Sequence, residues 1–184
     1  MNSQNTLPEN DVSRAFVQQA RRLLKSEYLP KLESWLNILT DEQVWWRANP
    51  ESNSIGNLCL HLAGNARQWI VSGLDGEIDA RARQREFDER AMIPRSELLS
   101  SLREKLEDVD NVLARFDPER CLEQHEIQGT KVTALAAIFH VTEHFSMHTG
   151  QIILLTKMLS QRDLGFYDFS TVAPVRAWRE QRSE

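Results

Sequence analysis

The sequence predicts an all-α protein, a four-helix bundle, and three observations point there. Four long segments carry apolar residues at three- and four-residue spacings. Prolines, glycines and capping side chains punctuate those segments. Few stretches alternate apolar and polar residues as strands do. With 184 residues, 41% of them hydrophobic and 27% charged, the chain has the length and balance of one globular domain. Residues 1–184 are therefore expected to form a single domain, with a tail from about residue 161.

The first helical segment runs from about Asp11 to Leu39, where Phe16, Ala20, Leu23, Leu24, Leu32, Trp35, Leu36 and Leu39 share one face. Pro30 predicts a kink or break within it, because proline removes a donor and crowds the preceding turn. The second runs from about Ser54 to Ser72, with "ESNS" offering side chains to cap its start. A polar connection, roughly Gly73 to Ile93, is long enough to cross the end of a bundle. The third helix starts near Pro94 and aligns Leu99, Leu102, Leu106, Val109, Leu113 and Phe116. Asp117–Pro118 ends it. "CLEQHEIQGTKV" reads as a loop or a short hairpin-like excursion, and the fourth helix runs from about Val132 to Leu159. The tail holds Leu164, Phe166, Tyr167, Phe169 and Trp178, an apolar content that predicts packing on the bundle or on a second subunit.

Charge excludes some functions. A formal net charge of -5 lacks the concentrated basic face that nucleic-acid binding needs. The most basic stretch, "RARQREFDER", is interrupted by acids and reads as mixed-charge surface; Arg81, Arg83 and Arg85 are expected in a solvated loop. Cys59 and Cys121 belong to no CxxC motif, which predicts reduced thiols in a cytoplasm. Neither an apolar leader nor a run of about 20 apolar residues is visible, so no membrane association is expected.

The chemistry concentrates in "HVTEHFSMHTGQ". His140, His144 and His148 follow one another at four-residue spacing, so adjacent rings lie about 6 Å apart along one helix face. Either adjacent pair can present two nitrogens to one ion. All three cannot, because the ladder spans about 12 Å. A further ligand is available in "NSIGNLCLHLAGNARQW", where His61 sits in a polar stripe with Asn57, Asn65 and Gln68. Buried polar groups need partners, and a site is one way to supply them. Gly64 and Gly150 leave room for close approach beside His61 and His148. On residues alone, a metal site and a cluster of hydrogen-bonded core histidines both remain open. Glu143 points about 100° away from the ladder and is expected at the surface. Cys59 and the Trp45–Trp46 pair are expected in the core or an interface, and His125 has no evident partner.

These two stretches, with "TDEQVWWRANPESNSIGNL", "IQGTKVTALAAIFHVTEHF" and "RDLGFYDF", resemble the DinB/YfiT-like superfamily, and within it a branch of bacterial DinB-like proteins. The resemblance covers most of the chain. It implies a four-helix bundle, often dimeric, with a divalent metal (Zn, Ni or Fe) held by a histidine triad. Carried over, the triad is His61, His144 and His148, the last followed by Gly150 and Gln151. His140, Asn57, Asn65 and Gln151 then become supporting or pocket residues. Many members have His-Arg-Gly-Gln where this chain has His148-Thr149-Gly150-Gln151, so a role for that arginine does not transfer. Some relatives activate a small thiol such as bacillithiol, mycothiol or glutathione. The resemblance thus implies a metal-dependent enzyme, a thiol-dependent S-transferase or a hydrolase acting on a small molecule. The competing expectation is a non-catalytic, dimeric metal-binding or stress-associated protein.

Overall fold

The computed structural model describes residues 9–162 and residue 164. The first rod is built from α1 (Glu9–Arg21) and α2 (Leu29–Leu36), joined without a break by a π-helical turn over Arg22–Tyr28. Pro30 was expected to kink or break this segment; instead it sits in the first turn of α2, where its missing N–H is tolerated. The turn before it has widened, so that the Leu29 N–H reaches Leu24 O, five residues back. A short α3 (Asp41–Val44) follows, capped by Thr40.

The second rod is α4 (Ile55–Ala66), extended by another π-helical turn over Arg67–Ser72. Ser54 caps it as expected: its Oγ accepts from Asn57 N at 3.2 Å, and Asn57 Oδ1 accepts from Ser54 N at 3.1 Å. Nearly every side of α4 is covered, including Asn57, His61 and Asn65. A helix covered all round packs inside the protein, and its polar residues must be satisfied there.

The connection carries two short helices, α5 (Gly73–Asp75) and α6 (Arg83–Asp88), the latter lying against α4. The third rod is α7 (Arg95–Arg115), which buries Leu99, Leu102, Leu106, Val109 and Leu113 along the expected stripe. After a 3₁₀ turn at Pro118–Leu122, β1 (Gln124–Ile127) pairs antiparallel with β2 (Thr130–Thr133), Gln124 opposite Thr133. Gln128 and Gly129 have φ of 53° and 72°, the left-handed pair that a tight two-residue hairpin turn requires. The hairpin-like excursion is therefore a true hairpin.

The fourth rod, α8 (Ala134–Ser160), starts on Thr133, whose hydroxyl accepts from Ala136 N. The bundle closes around Trp35, Phe145 and the leucines of α2, α4 and α7. Among the described residues, no helix is long and apolar enough to cross a membrane. Leu164 is buried; the rest of the aromatic tail, and its expected packing, lies outside the described residues.

Candidate metal centre

Polar residues on α4 meet the histidine ladder of α8 in opposite order along the two helices. His61 faces His144 and His148, while Asn65 and Trp69, further along α4 and its extension, face His140. The helices therefore run antiparallel, and this alignment sorts the ladder. His61 Nε2 lies 2.9 Å from His144 Nε2. Ring centroids are 5.2 Å apart for His61–His148 and 4.4 Å for His144–His148. One nitrogen from each of the three rings lies within 4.8 Å of the other two, the arrangement of groups positioned to bind a metal ion. His140 is not among them. It packs on Trp69 with centroids 4.1 Å apart, and its Nε2 is 3.1 Å from Asn65 Nδ2.

The outer nitrogens are tied down. His61 Nδ1 is 2.9 Å from Glu86 Oε2. Arg81 grips the same carboxylate at 2.7 and 2.8 Å with Nε and a terminal nitrogen. Burial would raise the Glu86 pKa, but hydrogen bonds from Arg81 and His61 outweigh it and hold the group below its ordinary value. An ionised carboxylate only accepts, so His61 Nδ1 carries the hydrogen and Nε2 keeps its lone pair. His148 Nδ1 lies 2.6 Å from Gln151 Oε1, which likewise only accepts and directs the Nε2 lone pair inward. The His144 pKa is pushed down to about 3, first by burial and then by His148, His61, His140 and Arg81. His148 is lowered by burial and His61, against its bond to Gln151. Neutral imidazoles are the form a metal ion takes up.

Several expectations change here. Arg81 was expected in solvent, yet its side chain is only 5% exposed and is bonded to Glu86, to Gln68 and to the His61 carbonyl. The acids and arginines of "RARQREFDER" are thus not all surface. Gly64, expected to allow close approach, does so: a Cβ there would lie 2.1 Å from Glu86 Oε1. Gly150, expected to do the same, faces open space. Asn57 reaches no histidine. It accepts from Arg47 and donates to the Glu86 carbonyl at 2.7 Å, fastening the connection that carries Glu86. Phe139, next to His140 in sequence, is 58% exposed. Arg83, Arg85 and Glu143 are exposed as expected. Cys59 is buried as expected, and burial pushes its thiol up to about 12, which removes it as a nucleophile. His125 lies in β1, and its buried Nε2 has no hydrogen-bond partner among the described residues.

Sequence reasoning missed Glu86 and Phe87, whose ring centroid lies 4.6 Å from that of His61. The signal available was an acid beside an aromatic in a polar connection too long for a plain turn.

Comparison with known proteins agrees with this architecture. A search of curated proteins returns no match. The crystal structure of a DinB-like protein from Bacillus cereus superposes with a TM-score of 0.57 at 16% identity, covering 73% of this chain and 89% of that one. At that identity the likeness establishes a DinB-like fold. The family model described as "Protein of unknown function (DUF1572)" matches residues 11–171. Because that match spans most of the chain, the protein belongs to the DUF1572 family, here with a DinB-like fold.

Proposed function

We propose that His61, His144 and His148 hold a divalent metal ion, and that the protein is a metal-dependent enzyme, a thiol-dependent S-transferase or a hydrolase. The observation that carries this reading is the convergence of three ring nitrogens, two of them aimed by acceptors on their outer nitrogens. Zinc, nickel and iron all suit such a donor set. When bound, the ion would lower the pKa of a thiol or water and supply a nucleophile at neutral pH. The chain's own part is to orient and to stay neutral. Glu86 and Gln151 fix two rings, Arg81 keeps Glu86 ionised, and burial keeps His144 uncharged.

The wider reading is a single domain over residues 1–184, acting in the cytoplasm on a small molecule with a low-molecular-weight thiol as cosubstrate. A homodimer belongs to it as well, supported by Phe139, Met147, Leu154 and Met158, which stand exposed on α8. A second reading, metal binding without turnover, draws support from Glu86. Its oxygens are engaged by Arg81 and His61, so it does not serve as a free general base.

The test is metal analysis of untagged protein, followed by assays of thiol conjugation to an aromatic electrophile and of ester hydrolysis. About one ion per chain with turnover that chelation abolishes supports the enzyme. One ion with no turnover supports the second reading, and no ion in any preparation contradicts both.

A further inference from the structure

A cavity of about 410 Å³ shares the Arg81–Glu86 pair with the histidine centre but is lined by none of the histidines. Its size falls within the range of small-molecule sites. Leu60 and Ala63 of α4 and Ile93 of the connection give it an apolar body. Lys105 of α7 and Arg85 of α6 bring cations from two different walls.

The charges around it are not equally available. Arg81 is spent on Glu86, and Arg67 pairs with Glu77 at 2.8 Å. Asp79 accepts from Gln68 Nε2 at 2.6 Å and from Arg81 N at 3.0 Å. Glu89 Oε1 accepts from the backbone of Arg90 and Ala91. The lining carboxylates are thus turned to local partners. Among the described residues, by contrast, Lys105 Nζ donates only to Ser101 Oγ, at 3.0 Å, and neither Lys105 nor Arg85 has a side-chain ion pair. In a chain of net charge -5, two cations without carboxylate partners on one apolar cavity are a feature to be explained.

We propose that this cavity binds a small organic carboxylate, with its apolar body against Leu60, Ala63 and Ile93 and its charge between Arg85 and Lys105. With Arg67 and Arg81 each engaged by a carboxylate, Arg85 and Lys105 are the lining cations left to pair with a bound anion. The proposal goes beyond the metal reading and does not require it.

The test is a fluorine NMR titration of the full, untagged chain with 4-(trifluoromethyl)benzoate, and with the uncharged 4-(trifluoromethyl)benzamide, each with and without a chelator. The benzoate is expected to bind in both conditions, at least about tenfold more tightly than the benzamide, because only the anion is paired on binding. Arg85→Gln with Lys105→Gln should weaken it by at least about tenfold and leave the circular dichroism unchanged, since neither side chain is core. Equal affinity for the two probes, or no effect of the double substitution, would overturn the proposal. Binding that vanishes on chelation places the carboxylate on the metal and overturns it too, and so does absence of benzoate binding at millimolar concentration.

Discussion

His140 and His148 stand one turn to either side of His144 on the same helix, yet they enter different surroundings. His148 turns its outer nitrogen to Gln151 and its ring toward His61. His140 is held by Asn65 and stacked on Trp69. Spacing does not distinguish the two: each is four residues from His144, and α8 is regular through both. The difference comes from α4, whose antiparallel course sets a histidine opposite one pair and an amide with an indole opposite the third ring. Which rings of the ladder converge is decided by the facing helix.

The largest effect is expected at His61. His61→Ala removes the residue that makes one pair a triad, and metal affinity should fall by more than about 100-fold, beyond the usual effect of losing a supporting group. Competition with a chromophoric chelator measures it, while circular dichroism should report an intact bundle.

Glu86→Gln asks whether the buried acid governs His61. An amide no longer guarantees an acceptor at Nδ1, so affinity should drop about 10- to 100-fold with the fold retained. A change of less than about twofold would mean that Glu86 serves only as Arg81's partner.

Gly64→Ala sharpens the same point through shape. In a helix this change ordinarily stabilises by about 1 kcal/mol. Here the added carbon would meet Glu86 Oε1 at 2.1 Å, so a lower melting temperature and weaker metal binding are expected instead. A melting temperature above the parent's would show that the carboxylate moves aside freely.

Acidity should produce the mildest effect. Burial lowers the pKa of His140, His144 and His148, His144 to about 3. In the unfolded chain these rings titrate near about 6.5. Their folded values lie lower, so the stability tied to their neutral forms is full above about pH 6.5 and is lost as pH falls toward 3. Thermal unfolding of chelated protein should show a melting temperature that falls steadily from pH 7 to 4.5, with a shallower fall in His144→Gln. A flat profile would contradict the burial of these rings.

Much of this was legible in the residues. The leucine stripe of α7, the Ser54 cap and the four-residue histidine spacing each rest on interactions within a few positions of one another. The choice of His148 over His140 came from family resemblance, because spacing is symmetric about His144. Glu86 and Arg81 were read as solvent-facing because a polar, mixed-charge connection ordinarily is. Their burial depends on Gly64 leaving space and on Asn57 pinning the loop from 29 residues away, neither of which is a local property. Pro30 misled for a related reason: a widened turn absorbs the missing donor without breaking the rod.

If the facing helix selects the ligands, His144 and His148 hold the ion and His140 does not. Metal content per chain, measured on untagged protein for the parent, His140→Ala and His148→Ala, tests it most directly. About one ion is expected in the parent and in His140→Ala, and essentially none in His148→Ala. An ion lost from His140→Ala and kept in His148→Ala would contradict it.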